Sequence, residues 1–164
     1  MNGDTSVHGI VVELPLDTDD GSGVDFNVVI NMLDPKKDVE GMTNINQGKL
    51  ATGVLDSFIP CTPAGCLDLI KRSGVTIEGA HAVVIGRSKL VGTPMAELLK
   101  WSNATVTICH SKTQNLESIV NQADILVVAI GQPQFIPGTW IKPGAVVIDA
   151  GINSIPDSSK KCGQ

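Results

Sequence analysis

Residues 86–92 combine two glycines with an arginine and a serine, in the pattern G-x-S-x-x-x-G. They follow the apolar run HAVVI and precede helix-forming residues, which predicts a strand, a tight turn and a helix. Glycines in such a turn let the backbone approach phosphate groups, and the N-terminus of a helix attracts negative charge. The pattern is a relaxed form of a dinucleotide-binding fingerprint. An ordinary strand-to-helix turn is the alternative interpretation.

The end of the next apolar run indicates which dinucleotide such a turn would bind. A site for NAD usually places an acidic residue about 20 positions further on, where it accepts hydrogen bonds from the ribose hydroxyls. Here the run ends in Cys109, His110 and Ser111, without a carboxylate. Arg87, Ser88 and Ser111 are suited to a 2′-phosphate, which a carboxylate would repel. The sequence therefore predicts NADP, although a solvated loop charge is an alternative for Arg87 alone.

Five apolar runs are predicted to form the strands that position these residues. Four of them lie in the second half and are rich in Val and Ile without polar alternation, which is typical of a parallel sheet covered on both faces. The fold class predicted is α/β, with a Rossmann-like doubly wound parallel sheet. The runs are 7–15, 81–86, 104–110, 124–131 and 145–151.

Three helices are predicted around these strands. The segment 62–74 offers Thr62 as the N-cap, Pro63 at the first helical position and Gly74 just past the end. Apolar residues at i, i+3, i+4 and i+7 predict an amphipathic helix within 115–123. A further helix is predicted within 24–34.

Composition narrows the classes of ligand. The net charge is −5 and the pI is near 5.0, so there is no basic excess to bind nucleic acid or an anionic membrane. No apolar run approaches the ~18 residues of a membrane span, and the first residues do not resemble a signal peptide. We therefore expect a soluble intracellular protein that binds small molecules. The four cysteines form no CxxC pair and are predicted to be reduced structural residues, with no metal site.

The doubly wound pattern begins near residue 76, and only one predicted strand precedes it. A lone strand with two or three helices cannot bury both of its faces. We therefore expect residues 1–60 to be a partial domain and 61–75 a connecting helix. Residues 76–164 would be an NADP-binding domain that is incomplete at its C-terminal end.

Several segments together resemble one known family. The resemblance is to the bifunctional methylenetetrahydrofolate dehydrogenase and methenyltetrahydrofolate cyclohydrolase, in the NADP-linked form found in the N-terminal part of C1-tetrahydrofolate synthase. It covers almost all of the chain. The cofactor half of an amino-acid or shikimate-type dehydrogenase would share the fold, but it would not explain ELPL, KDVEG and PCTP. The matching segments are VHGIVVELPLD, KKDVEGMTNINQGKL, FIPCTPAGCLDLI, HAVVIGRSKLVGTPM, ATVTICHSKT, DILVVAIGQP and KPGAVVIDAGIN.

The resemblance implies an activity in one-carbon metabolism. This is the NADP-dependent oxidation of 5,10-methylenetetrahydrofolate to 5,10-methenyltetrahydrofolate, followed by hydrolysis to 10-formyltetrahydrofolate. The folate nitrogens stabilise the cation left by hydride removal, so the protein mainly aligns the substrate with the nicotinamide. The resemblance also implies tetrahydrofolate derivatives as substrates, a homodimer joined through its cofactor domains, and a cytoplasmic location.

The same resemblance implies two sets of contact residues, and Cys61, Thr62 and Pro63 would lie on the wall between the two ligands. Ser111 would help hold the 2′-phosphate, and Ile152 would lie beside the nicotinamide. The implied cofactor contacts are Thr62, Gly86, Arg87, Ser88, Ser111 and Ile152. The implied folate contacts are Val12, Glu13, Leu14, Glu40, Cys61 and Pro63.

The chain departs from the family pattern on the folate side. Glu13 stands where the family has glutamine, and Glu40 stands where it has aspartate; both are candidate catalytic residues. The family's Tyr-x-x-x-Lys segment is absent, and its glycine-rich PGGVGPM segment would follow residue 164. We therefore expect a chain truncated at both ends that lacks cyclohydrolase activity on its own. The alternative is a catalytically inactive form that binds NADP or dimerises.

Overall fold

The computed structural model describes residues 1–13 and 23–153. Four strands form a parallel sheet in the order β2-β1-β3-β4. The strand order reverses at β1, which has β2 on one side and β3 on the other, and the carboxyl ends at such a point form a crevice. The strands are β1 (His81–Ile85), β2 (Thr105–Cys109), β3 (Ile125–Val128) and β4 (Val146–Asp149). The predicted doubly wound parallel sheet is confirmed.

Helices precede the sheet and connect its strands. Asp25 caps α1 by accepting from the N–H of Asn27, and Thr43 caps α2 by accepting from the N–H of Asn46. None of the described helices combines the length and the hydrophobicity needed to cross a membrane. The helices are α1 (Phe26–Asn31), α2 (Asn44–Ala51), α3 (Cys61–Arg72), α4 (Gly92–Trp101) and α5 (Leu116–Val120), with a short 3-10 helix at Gly138–Trp140.

The core lies on both faces of the sheet. Successive side chains of a strand point to opposite faces, so β1 contributes Val84 to one face and Val83 to the other. Val84 packs with Ile70 of α3 and Leu99 of α4, whereas Val83 packs with Val120 of α5. All five side chains are essentially fully buried, and each such burial contributes about 1.5–3 kcal/mol. This two-sided burial explains the uninterrupted apolar runs of the central strands β1 and β3.

The strand predicted over 7–15 is wrong for the described residues 7–13. The only pairing there is a single parallel bridge between Ile10 and Asp38, in which the Ile10 N–H donates to the Lys37 carbonyl at 2.7 Å. Ile10 is buried, but Val11 is 53% exposed. A strand needs a partner along its length, and the residues around Asp38 form a turn instead. The remainder of the predicted range, residues 14 and 15, lies outside the described residues.

The helix predicted to begin at Pro63, with Thr62 as its N-cap, begins two residues earlier, at Cys61, with Pro60 as its N-cap and no capping side chain. The Pro60 carbonyl accepts the N–H of Ala64 at 3.1 Å, and Pro63 needs no acceptor because proline has no N–H. Pro63 thus removes one of the N–H groups that a capping side chain would otherwise satisfy. The predicted end is confirmed, since Gly74 follows the C-cap with φ +81°.

Candidate functional site

The turn after β1 begins at Gly86, where the backbone has φ +115°. A Cβ at this position would lie 2.5 Å from the Ala129 carbonyl oxygen beyond β3. The Gly86 N–H donates to the Cys109 carbonyl of β2 at 2.9 Å. The ends of three strands therefore converge on one residue that has no room for a side chain, and only glycine fits both the conformation and the space.

Gly92 lets α4 start directly against this turn. A Cβ on Gly92 would overlap the carbonyl oxygen of Gly86 and lie 2.8 Å from the backbone nitrogen of Arg87. The sequence pattern therefore has a physical basis at both glycines. Gly86 allows the strand ends to converge, and Gly92 allows the helix to pack closely on the turn.

Ser88 occupies the space between the turn and the start of α4. Its Oγ accepts the N–H groups of Val91 at 3.1 Å and Gly92 at 3.3 Å, and its carbonyl accepts the N–H of Thr93 at 3.0 Å. Ser88 thus caps a helix whose own N-cap residue, Val91, makes no side-chain cap. Two of the amides expected to face a phosphate are used in this way. The hydroxyl proton of Ser88 remains available for donation to an anion.

A cavity of about 280 Å³ lies next to the turn, at the carboxyl ends of β1, β2 and β3. Its walls are largely apolar, and polar groups at His110, Ser111 and Gln132 border it, which is the usual make-up of a small-molecule site. The Nδ1 of His110 accepts the N–H of Lys112 at 3.2 Å, which leaves the Nε2 of a neutral ring as the donor. The lining residues include Ile85, His110, Ser111, Ile130, Gln132 and Phe135.

Arg87 and Ser111 leave neighbouring strands at the same edge of the sheet. Ile85 is paired in register with Cys109, and each predicted phosphate ligand follows its strand partner by two residues. Both side chains are exposed. The guanidinium of Arg87 has no hydrogen-bond partner within residues 1–13 and 23–153. The strand register therefore brings these two predicted phosphate ligands together at the carboxyl ends of β1 and β2.

Ile152 follows β4 at this same edge. Asp149 accepts the N–H of Gly151 through Oδ1 at 2.9 Å, and a Cβ on Gly151 would lie 3.3 Å from the Cα of Gly131. The loops after β3 and β4 are therefore closely packed. Ile152, next along the chain, is 95% exposed, so its apolar side chain is free to contact a ligand.

A buried carboxylate, that of Asp38, stabilises the part of the chain that carries the predicted folate contact Glu40. Asp38 is 1% exposed and accepts hydrogen bonds from Thr43 N at 2.8 Å, Asn46 Nδ2 at 2.8 Å and Met42 N at 3.1 Å. Burial acts to raise its pKa, but these hydrogen bonds outweigh burial and lower the pKa below its ordinary value. The ionised carboxylate fixes the turn that carries Glu40.

The segments carrying Val12 and Glu40 run in the same direction through the parallel bridge between Ile10 and Asp38. Val12 and Glu40 each lie two residues beyond a bridge residue, so both leave it at the same end. Both are partly buried, whereas Glu13 is exposed. The structure thus gathers two of the predicted folate contacts, and Leu14 lies outside the described residues.

The start of α3 adjoins this turn. The Sγ of Cys61 lies 4.0 Å from the carbonyl oxygen of Val39, one residue before Glu40. Cys61 and Thr62 are exposed and Pro63 is buried. Cys61 therefore lies next to the turn that carries Glu40.

Three cysteines fall within the described residues, and all are free. Cys66 and Cys109 are buried in the two core clusters, and burial raises the pKa of both thiols. A buried thiol with a raised pKa is unreactive, so the predicted structural role is confirmed for these two. Cys61 is exposed, and Cys162 lies outside the described residues.

Sequence reasoning missed two features of the site. The first is the pair Ile130 and Phe135, which line the cavity from the loop after β3. The second is Asp38, which the sequence pattern does not single out, although the threonine and the asparagine that follow it within eight residues supply donors for a buried carboxylate. In both cases the residues that indicate the feature lie close together in the sequence.

The nucleotide-side residues all lie within the match to a known family model. Residues 60–164 match the tetrahydrofolate dehydrogenase/cyclohydrolase, NAD(P)-binding domain. The chain belongs to the tetrahydrofolate dehydrogenase/cyclohydrolase family. The family resemblance and the Rossmann-like cofactor fold expected from the sequence are therefore confirmed.

Curated members of this family match over the whole chain. The chain is 60% identical to the cytoplasmic C-1-tetrahydrofolate synthases of Mus musculus and Drosophila melanogaster, covering 100% and 99% of this chain and 17% of each relative. It is 52% identical to the bifunctional protein FolD of Anaplasma marginale, covering 98% of this chain and 52% of that protein. The chain thus spans about one sixth of the length of the synthases and half that of FolD.

Solved structures of family members share the fold. The bifunctional FolD enzyme of Campylobacter jejuni has a TM-score of 0.89 at 40% identity, covering 98% of this chain and 55% of that one. The Trypanosoma brucei methylenetetrahydrofolate dehydrogenase-cyclohydrolase, solved with NADP cofactor and an inhibitor, has a TM-score of 0.88 at 38% identity, covering 98% and 54%.

Proposed function

We propose that the chain binds NADP at the carboxyl edge of its sheet and serves the oxidation of 5,10-methylenetetrahydrofolate to 5,10-methenyltetrahydrofolate. The observation that carries this proposal is the convergence of the 86–92 turn, Ser111 and the 280 Å³ cavity where the strand order reverses. Family membership supplies the reaction class, and hydrolysis to 10-formyltetrahydrofolate is the family's second step. Residues 76–164 would form the NADP-binding domain, 61–75 a connecting helix and 1–60 part of the folate side.

The residues at this edge fit a phosphorylated dinucleotide. Gly86 and Gly92 let the turn pack closely between the strand ends and the start of α4, and Ser88 has a hydroxyl proton to donate. Arg87 supplies a positive charge with no competing partner among the described residues. Ser111 stands where an acidic residue would favour NAD instead.

NADP, when bound, supplies the hydride acceptor. The chain's own residues bind and orient the ligands: Arg87 and Ser111 hold the 2′-phosphate, and Ile152 flanks the nicotinamide. Thr62, with its neighbours Cys61 and Pro63, separates the two ligands.

On the folate side, Val12, Glu13 and Leu14 contact the substrate together with Glu40. Glu40 is held by the Asp38 turn, and its carboxylate accepts a hydrogen bond from a donor on the substrate ring. Among the described residues of the folate side, Glu13 and Glu40 have carboxylates that can hold or move a proton.

The homodimer and the cytoplasmic location are part of the same proposal. β2 forms one edge of the sheet, and Ile108 on it is 43% exposed. Exposed strand edges favour pairing with another chain, and a twofold dimer would cover this edge.

The proposed cytoplasmic location rests on the relatives, because the synthases most similar in sequence among those described above carry the name cytoplasmic.

Calorimetric titration with NADP and NAD tests the nucleotide assignment. We expect the purified chain to prefer NADP, and Arg87→Ala to weaken NADP binding by about 10- to 100-fold while leaving NAD binding unchanged, since a charge-assisted hydrogen bond is lost. Lys142→Ala, at the opposite edge of the sheet, is the control. Equal affinity for the two nucleotides, or none for either, would refute the assignment.

A second candidate function is an inactive form that binds NADP or dimerises. Glu13 favours it, because this carboxylate replaces the family glutamine and removes an amide donor from the folate side. NADPH formation with methylenetetrahydrofolate separates the candidates. Turnover above the uncatalysed rate supports the enzyme, whereas NADP binding without turnover supports the inactive form.

A further inference from the structure

Four hydrogen bonds form a closed circuit between the 86–92 turn and the first two helices. The Nζ of Lys89 donates to the side-chain oxygens of Asn27 at 2.8 Å and Asn44 at 3.1 Å. The N–H of Asn44 donates to Asn31 Oδ1 at 2.8 Å, and Asn31 Nδ2 donates to the Asn27 carbonyl at 2.7 Å. We call these four residues the Lys89 circuit. Lys89 is its one member from the turn.

Both acceptors of Lys89 are fixed by their own helices. Asn27 is in the first turn of α1, where its N–H is held by Asp25 Oδ1 at 2.8 Å, and Asn44 is the first residue of α2. These partners are 62 and 45 residues away from Lys89 in the chain. An exposed lysine normally samples many rotamers, but two defined acceptors on separate helices select one position for the ammonium.

Lys89 follows directly in the chain on Arg87 and Ser88, the two residues of the turn that are proposed to bind the nucleotide. Its chain neighbour Ser88 caps α4 and offers its hydroxyl proton, and the next residue towards the N-terminus is Arg87. An ammonium group has three protons, and the two asparagine oxygens take two of them. Lys89 is therefore directed towards α1 and α2, and its main chain holds the residues that face the ligand.

We propose that Lys89 is a positioning residue, which anchors the 86–92 turn to α1 and α2 and so sets the affinity of the turn for NADP. The proposal rests on the NADP binding proposed above. α1 and α2 lie within residues 1–60, the part assigned to the folate side. The circuit is thus a direct link by which the folate side acts on the nucleotide side.

The test compares single variants of the whole 164-residue chain by calorimetric titration with NADP. Lys89→Met, Asn27→Ala and Asn44→Ala each break the circuit, and we expect each to weaken binding by about fivefold, the effect of one modest hydrogen bond. The double variant Lys89→Met/Asn44→Ala is expected to lose no more than a single variant, because the residues act as one unit. Lys71→Met on α3 is the matched control.

Two conservative variants separate positioning from general damage. Asn27→Asp and Asn44→Asp keep an oxygen for Lys89, so we expect their NADP affinity to stay within about twofold of the parent. Hydrogen exchange gives an independent readout, with faster exchange of the backbone amides of residues 87–91 expected in Lys89→Met. Circular dichroism confirms that each variant is folded.

Three results would overturn the proposal. If Lys89→Met weakens binding but Asn27→Ala and Asn44→Ala do not, the ammonium acts on the phosphates directly. Unchanged affinity in all three variants also contradicts an anchor, as does unchanged exchange at 87–91. If the parent chain fails to bind NADP, the proposed function falls, and the exchange measurement still decides whether Lys89 anchors the turn.

Discussion

The carbonyl oxygen of Gly86 lies directly against Gly92, the first residue of α4. Two glycines six positions apart therefore set the distance between the end of β1 and the helix that follows it. Neither is there for flexibility alone, because a methyl group at either position would have to occupy space taken by backbone atoms. The spacing of the 86–92 turn is thus a packing requirement before it is a ligand requirement.

Gly92→Ala is expected to lower the free energy of unfolding by about 1–3 kcal/mol, because the added methyl group forces α4 away from the turn. NADP affinity should fall with it. Chemical denaturation and calorimetry measure the two effects. Gly65→Ala is the matched control, since a Cβ there meets nothing within 4 Å, and alanine in the middle of α3 should stabilise the chain by about 0.5–1 kcal/mol. Equal behaviour of the two variants would contradict this account.

Asp38→Asn should change how stability depends on pH. The carboxyl of Asp38 has a folded pKa below its ordinary value of 3.8. The stability that the ionised Asp38 carboxylate contributes is therefore complete above the pKa of the unfolded state. It is lost as the pH falls through the lower pKa of the folded state. We expect the variant to be less stable at pH 7 by about 1–3 kcal/mol and to lose less stability than the parent below about pH 4.

Urea denaturation at a series of pH values measures the effect of Asp38→Asn. Asp68→Asn is the control, because Asp68 forms an exposed surface pair with Arg72 at 2.7 Å. Exposed pairs of this kind contribute little, so this variant should follow the parent closely. Parallel pH profiles for Asp38→Asn and the parent would show that the buried network is not held by an ionised carboxylate.

Trp101→Phe tests the junction between α4 and the end of α2. The indole N–H of Trp101 donates to the Leu50 carbonyl at 2.8 Å, and its ring lies against Gly53, where an added Cβ would be 2.9 Å away. We expect a loss of about 0.5–1.5 kcal/mol in the free energy of unfolding, because the Leu50 carbonyl loses one of its donors and keeps the Gly53 N–H at 3.1 Å. The indole of Trp140 makes no hydrogen bond among the described residues, so Trp140→Phe isolates the effect of ring size. Equal losses would rule out a role for the hydrogen bond.

Ser111→Glu should reverse the nucleotide preference. A carboxylate beside the cavity repels a 2′-phosphate and accepts hydrogen bonds from the ribose hydroxyls of NAD. NADP affinity is expected to fall by about 10- to 100-fold and NAD affinity to rise, as measured by calorimetry. Ser118→Glu on α5 adds the same charge away from the cavity and should leave both affinities unchanged. A variant of Ser111 that still prefers NADP would argue against this residue as a determinant.

The sequence was sufficient to predict the centre of the sheet because β1 and β3 are buried on both sides. Continuous runs of Val and Ile at 81–86 and 124–131 correspond to β1 and β3, and the run at 7–15 looked similar. What distinguishes that run is the lack of a neighbouring strand in the described part of the chain. Pairing partners are a property of the tertiary fold, and a single segment does not reveal them.

α2 was not predicted, because its sequence NINQGKLA shows no apolar stripe. It is stabilised by the Thr43 cap and by Asn46, a polar residue buried through its contact with Asp38. At the candidate site, the glycines and Ser111 were predictable because they adjoin strands. Lys89 was not, since its partners are distant in the chain and only the fold brings them together.

The strand order has a consequence for how the chain emerges during synthesis. β1 lies between β2 and β3, yet β3 begins about 40 residues after β1 ends. At ordinary translation rates this interval corresponds to about 2–8 s, during which one edge of the central strand has no partner. Unpaired edges are where nascent chains stick to one another. The edge of β1 that later pairs with β3 is therefore the part of the sheet most open to wrong pairing in the nascent chain, and the finished molecule encloses it.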